Sequence, residues 1–445
     1  MNRRPPALDT HPAPTAQMLG KWMSAAMVIG TMIGSGIYLL PTTLAPFGPN
    51  IIIAFLVTGA GTMCIAFCLA RLAGRIPGGP FAYVGEAFGE TAAFMTMWSY
   101  IVSQWTGIAA VTLAVAGALG HIYPAAASGI GLTAVALGSI AILTVINLRG
   151  ARSAGAVQVA ATAIKIVPLV AVIALVVFRA GTHQPLQPLA PIPLGLAAVT
   201  TAAALMLFSL TGFEAAAVTA NVTRDATSTV PRATIYGTGF TAIIYLFATL
   251  AALMLLPVVG AAMSAVPYAD AIAPVLGPVA GGAVALIAAI SAFGTANALL
   301  LLAGELSRTI AGVGDLPPLF HKTNGVGAPV GGLLVAAFIA ALLVLASTSE
   351  DFVSVYVFIT LVSIVAALVL YVVCVAAALK LGVMGKWTVV AILGLFYSVA
   401  MFVGAGLKPT LWGLALAFAG LPIRWLSRRL SSTPAPADGP AAPAE

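Results

Sequence analysis

Apolar stretches of about 20 residues, the length that crosses a hydrocarbon core as a helix, recur from Lys21 to about Leu430. Short segments carrying most of the charges separate them. The pattern predicts twelve spans, at about 21–46, 50–73, 91–119, 126–148, 154–178, 194–222, 232–257, 278–311, 328–346, 352–380, 387–406 and 410–427. Residues 1–20 and 431–445 are rich in Pro, Ala and polar side chains, cannot bury a core, and read as disordered cytoplasmic tails. No small-residue cleavage site follows a short apolar run, so the first tail is not a signal peptide.

Two spans are interrupted at mid-depth. The run GTMIGSGIYLLP at 30–41 sets three glycines where span 1 should be continuous, and LFSLTGFEAA at 207–216 sets Ser209, Thr211, Gly212 and Glu214 inside span 6. Helix-breaking backbone in a bilayer lines a binding cavity, or marks a kink packed on a neighbour. Spans 1 and 6 are the first helices of two five-span units that enter from opposite sides. This predicts an all-α polytopic protein with a five-plus-five inverted repeat, over about 21–178 and 194–380, and two further helices over about 387–427.

Composition agrees: 61% of residues are hydrophobic, 7% are charged, and the mean hydropathy is +1.09. The net charge of +7 would suggest an anionic partner in a soluble protein, but its distribution follows the positive-inside rule. With the N-terminus cytoplasmic, all of the 19 basic residues except Arg179, Lys408 and Lys165 fall in inside segments. Both termini are then cytoplasmic, and nucleic-acid binding is excluded. Cys64, Cys68 and Cys374 lie in apolar spans, and the four histidines fall in tails or loops. Neither a metal site, a cofactor nor an enzyme nucleophile is indicated. No GxxxxGKS/T motif is present, so ATP is not the direct driver.

Helix polarity assigns the chemistry of the first break. Span 1 runs outward, so its inner half should end near 28–30 with free carbonyls, and its outer half should begin near Ser35 and Gly36 with free N–H groups. The second suits an α-carboxylate and the first an α-ammonium. Ile33, Gly34, Ser35 and Gly36 are the candidate carboxylate ligands. The carbonyls of Met27, Val28, Ile29, Phe208 and Ser209 are the candidate amine ligands, with Gly212 at the second break. Lys165 lies about 11 residues into span 5, roughly 16 Å deep at 1.5 Å per residue, and a charge there marks an ion pathway or a static bridge between carbonyls of spans 1 and 8. Glu214 either caps the inner half of span 6 or carries a proton. Glu305 and Arg308, one turn apart at the cytoplasmic end of span 8, are a candidate gate pair or an ordinary interfacial pair. Glu86 and Glu90 read as solvated loop charges.

Three stretches, GTMIGSGIYLLPTTLA from Gly30, FSLTGFEAA from Phe208 and LSRTIAGVGDLPPLFHKTNGVGAPVGGL from Leu306, resemble the amino acid, polyamine and organocation permease superfamily. RIPGGPFAYVGEAFG from Arg75 is similar to that family's segment between spans 2 and 3. The layout is similar to that of bacterial arginine/agmatine antiporters, which are often dimers. In that resemblance Gly107 and Leu299 stand where those antiporters have an Asn and a Trp around the guanidinium, and Phe208 stands at their span 6 Trp. A smaller or more apolar substrate than arginine is implied, with Phe208 shaping its pocket and Gly107, Leu299 and Asn297 completing it. Some proton-coupled members have a span 5 lysine in place of a bound sodium ion, which Lys165 resembles.

Together these readings favour a secondary active amino acid transporter of the inner membrane, working by alternating access and coupled to protons through Lys165 and Glu214. Exchange of one amino compound for another, cationic substrates included, is the alternative. A channel fits less well, because its pore needs polar rings at several depths.

Overall fold

In a computed structural model, residues 21–76, 78–127, 129–149, 154–214, 225–347 and 352–431 are described. They form an all-helical, multi-pass integral membrane protein. In chain order the helices are α1 (Lys21–Met32), α2 (Ser35–Leu44), α3 (Asn50–Ala73), α4 (Gly79–Phe88), α5 (Glu90–Ile122), α6 (Gly129–Leu148), α7 (Ala154–Gly181) and α8 (Leu196–Leu210). They continue as α9 (Ala226–Leu255), α10 (Val258–Met263), α11 (Pro267–Leu276), α12 (Pro278–Gly312), α13 (Val330–Ala346), α14 (Phe352–Lys380), α15 (Thr388–Ala405), α16 (Leu407–Phe418) and α17 (Gly420–Ser431). Among the described residues, 9 apolar helical stretches are long enough to cross a membrane, while α8 and α13 are shorter apolar helices.

Glycine and proline set several boundaries. Gly277 ends α11 with φ at +89° and Pro278 opens α12. The left-handed conformation stops one helix, and a proline, lacking an N–H that would be unsatisfied anyway, starts the next. The structure adds helices to segments read as loops: α4 between spans 2 and 3, and α10 and α11 between spans 7 and 8. The last span is divided at Ala419 into α16 and α17. Residues 1–20, 432–445 and 215–224, where the tails and the inner half of span 6 were expected, lie outside the described residues.

Burial sorts the helices into a centre and a rim. The most hydrophobic window of span 3 is 83% buried and that of span 1 is 76% buried, against 28% for the windows in α6 and α7. Helix α5 packs along α12 and α14, and all three touch α2, whereas α1 packs on α9 and α7. Small residues permit the close crossings, as lipid offers no hydrophobic drive between helices. A Cβ at Gly61 would fall 2.2 Å from the Tyr397 ring, and one at Gly413 2.4 Å from Val365.

An ion cluster joins three of these elements on the side that carries the basic residues. The carboxylate of Asp315, 1% exposed, accepts Arg424 Nε at 2.9 Å and Arg428 Nε at 2.6 Å. Arg428 Nη2 donates to Glu90 Oε2 at 2.8 Å, Arg424 donates to Thr91 Oγ1, and the Arg424 guanidinium lies over the Phe94 ring. Glu90 is thus a paired charge at the start of α5, not merely a solvated one. Its hydrogen bond, and Asp315 after it, hold the Arg428 guanidinium above its ordinary pKa.

Asp315→Ala strands the buried Arg424 charge and is expected to destabilise the protein by about 3–5 kcal/mol. Glu90→Ala, at a partner 74% exposed, should cost under about 1 kcal/mol. Thermal unfolding in detergent should show a large drop in Tm for the first variant and a small one for the second; equal shifts would contradict the burial argument.

Candidate functional site

Span 1 stops as a helix at Met32 and resumes at Ser35. Gly34, at φ −116° and ψ −149°, precedes α2 without a side-chain cap. The inner half therefore runs past 28–30, where the sequence placed its end. The Ile29 carbonyl already accepts the Ile33 N–H at 2.8 Å, and the Val28 carbonyl accepts the Thr31 hydroxyl at 2.9 Å. The carbonyls freed at the break are those that follow, because a helix leaves its last four acceptors unpaired.

Three other spans reach those freed carbonyls. Lys165 Nζ of α7 donates to Gly30 O at 3.3 Å, Tyr245 Oη of α9 to Met32 O at 2.6 Å, and Ser291 Oγ of α12 to Ile33 O at 3.4 Å. Gly34 also faces α12 closely, since a Cβ there would lie 2.6 Å from Thr295 Oγ1. By contrast, the first N–H groups of α2, at Ser35 and Gly36, meet no acceptor among the described residues.

Span 6 loses its helix at the same place. Helix α8 ends at Leu210, and the Thr211 hydroxyl and N–H both bond the Phe208 carbonyl, at 2.7 and 3.2 Å. The Phe208 acceptor is thereby engaged. Gly212 then takes φ +109°, its carbonyl accepts the Thr31 hydroxyl at 3.1 Å, and a Cβ on it would lie 3.0 Å from the Thr31 carbonyl carbon. A Cβ on Gly36 would fall 2.7 Å from Ser209 Cα. The two broken helices touch through glycines on both sides of the gap.

Two buried ionisable side chains flank this junction, and neither has an opposite charge among the described residues. Lys165, 6% exposed, is held by both halves of span 1: its ammonium binds Gly30 O, and its own carbonyl accepts the Tyr38 hydroxyl of α2 at 2.7 Å. Among the described residues it makes no bond to span 8. Glu214, 5% exposed, accepts Tyr100 Oη of α5 at 2.6 Å, Tyr371 Oη of α14 at 3.4 Å, and the Gly212 N–H at 3.1 Å.

The remaining candidates divide. Phe208 is half-buried and meets Tyr356 edge-on at 6.4 Å. Gly107 faces Leu299, whose Cδ1 would lie 3.2 Å from an added Cβ. Asn297 is tied to α6 instead, accepting Asn147 Nδ2 at 2.7 Å. Glu305 and Arg308 pair at 2.9 Å within α12, with side chains 40% and 42% exposed. A pair confined to one helix does not by itself bridge two moving parts. The thiols of Cys64, Cys68 and Cys374 are free, and no group of His, Cys, Asp or Glu that could hold a metal occurs among the described residues. His121 lies in the last turn of α5, not in a loop, and faces Asp270 at 3.5 Å.

An interrupted span 1 whose resuming end has N–H groups without an acceptor among the described residues, set beside the end of α8 and two buried ionisable groups, is the arrangement of a solute carrier. The chain belongs to the amino acid permease family, whose profile matches residues 19–420. It is similar to a Bacillus subtilis (strain 168) protein whose name assigns it arginine/ornithine antiport, at 29% identity over 90% of this chain and 95% of that one. It is also similar to the cadaverine/lysine antiporter of Escherichia coli (strain K12), at 29% identity over 73% of each chain. The putrescine transporter PotE of Escherichia coli (strain K12) is 26% identical over 87% of this chain and 91% of its own. The protein is accordingly an amino acid or polyamine transporter of a lipid bilayer, not an enzyme.

The glycine contacts are directly testable. Gly212→Val adds branching at a left-handed position against Thr31, and transport by this variant is expected to fall at least about tenfold while membrane insertion is unchanged. Uptake at the wild-type rate would show that the two breaks need not touch.

Proposed function

We propose that the protein is an exchanger that trades a cationic amino acid for an amine across the inner membrane, with both termini cytoplasmic. The observation that carries this reading is Glu214. A buried carboxylate two residues beyond the glycine that touches span 1, without a cation among the described residues, offers a counter-charge to a positively charged solute. Three relatives named for arginine, ornithine, lysine, cadaverine or putrescine support the same substrate class.

In this mechanism the α-carboxylate binds the N–H groups of Ser35 and Gly36, with Ile33 and Gly34 shaping the turn. The α-ammonium binds the Ser209 carbonyl and the second lone pairs left on the carbonyls that end α1, beside the segment of Met27, Val28 and Ile29, and Phe208 covers the solute. A five-plus-five inverted repeat lets spans 1 and 6 rock against the trio of α5, α12 and α14, exposing the junction to each side in turn. Loss of a proton from Lys165 would release Gly30 O, and re-protonation would restore that bond, so the ammonium can bias which face is open. Glu305 and Arg308 would act at most as a cytoplasmic rim to this movement.

A second reading, proton-driven uptake of a small or apolar amino acid, is favoured by the apolar Gly107–Leu299 contact and by the isolated Lys165 ammonium. Proteoliposomes separate the two. Exchange predicts that labelled lysine or ornithine enters only vesicles preloaded with an amine such as cadaverine, and that a proton gradient alone drives little uptake. Gradient-driven alanine uptake into empty vesicles, lost in Lys165→Ala, would replace exchange with symport.

A further inference from the structure

Gln104 stands near the middle of the 33-residue helix α5 and is 3% exposed. Its Nε2 donates to the Tyr100 carbonyl one turn earlier at 3.3 Å, while its Oε1 is fully buried with no donor. The amide orientation follows from that contact: a carbonyl only accepts, so the nitrogen must face Tyr100 and the oxygen is the group left over. An unmet buried acceptor carries a desolvation cost that nothing in the protein offsets.

The surroundings say what could meet it. The side chain of Tyr100, against which the amide lies, donates its hydroxyl proton to Glu214. The Ser363 hydroxyl next along α14 donates to the Ser103 carbonyl at 2.8 Å. One turn further out, Gly107 and Leu299 present no polar side-chain atom, and Ser363 Oγ would lie 3.5 Å from a Cβ at Gly107. This stretch of α5 thus sets an apolar strip beside two acceptors, Gln104 Oε1 and, across Tyr100, the Glu214 carboxylate, while the Trp105 Nε1 next to Gln104 is a donor without a partner among the described residues. A primary ammonium is the complementary group, having three donors and no acceptor.

We infer that Gln104 is a specificity-determining residue whose Oε1 accepts a hydrogen bond from the terminal ammonium of a substrate with a short aliphatic chain. The inference rests on the cationic-substrate reading above and names the residue that tells an amine-tipped side chain from its methyl-tipped counterpart. The aliphatic chain lies along Gly107 and Leu299, and the ammonium bridges Gln104 and Glu214. A neutral side chain of the same length fills the strip but leaves Oε1 dry.

The test compares lysine with norleucine, which has the same chain without the terminal ammonium, as competitors of labelled ornithine exchange. In Gln104→Met, which keeps length and removes the acceptor, the inhibition constant of lysine should rise about 10- to 100-fold, the range for one hydrogen bond to a charged group. That of norleucine should stay within about twofold. In Gln104→Glu, which adds charge, lysine should tighten and norleucine weaken. A role limited to packing would move both competitors together. A lysine-to-norleucine ratio unchanged from wild type in either variant overturns the inference, so one folded variant is enough to decide it. Absence of a lysine preference in the wild type itself would instead overturn the cationic-substrate reading, and with it this assignment.

Discussion

Hydrocarbon has no partner to give a backbone N–H or C=O, yet two helices of this protein stop part-way across it. The two ends of the gap in span 1 are treated differently. Gly30, Met32 and Ile33 carbonyls are met by Lys165, Tyr245 and Ser291 from three different spans. The N–H groups of Ser35 and Gly36 have no such partner among the described residues. The acceptor end therefore anchors span 1 to its surroundings, and the donor end is left without a protein partner among the described residues. Tyr38 and Gly30 extend this anchoring to one residue, Lys165, held from both sides of the gap.

The contact between breaks explains the use of glycine. At Gly36 and Gly212 an added methyl would meet the backbone of the other broken helix. Two discontinuities that touch can share one solute, whereas two that were separated would each need protein partners. Around them the well-buried α5 and α14 form a support, with α12, less than half buried, packed along α5. The cluster of Asp315, Arg424, Arg428 and Glu90 fastens the last helix to the start of α5 and the turn after α12. One carboxylate receiving two guanidinium groups makes that fastening sensitive to loss of Asp315 above its other members.

Much of this was legible in the chain because the bilayer restricts the options. Long apolar runs and three glycines at 30–36 pointed to spans and to the first break. They did not fix the residue at which α1 stops, because glycine marks where backbone can unwind, not where neighbours hold it. Tyr245 on Met32 and Ser291 on Ile33 are contacts across more than 200 positions, invisible to local pattern. Sequence separation also hid the Asp315 cluster: Glu90 read as a solvated loop charge, and Arg424 lies 109 positions beyond Asp315. A usable signal existed in Arg424 and Arg428, four apart on one face of the last helix, and in an aspartate inside the GDLP turn. Gln104, a lone amide in the apolar run SYIVSQWTG, was likewise a polar group at a depth where such groups are costly.

The most direct measurement is a cryo-EM map of the protein in lipid nanodiscs with saturating lysine. The account predicts ligand density at the junction of the two breaks, its carboxylate about 3 Å from the N–H groups of Ser35 and Gly36 and its chain directed toward Glu214. Density away from both breaks, with the junction empty, would contradict it.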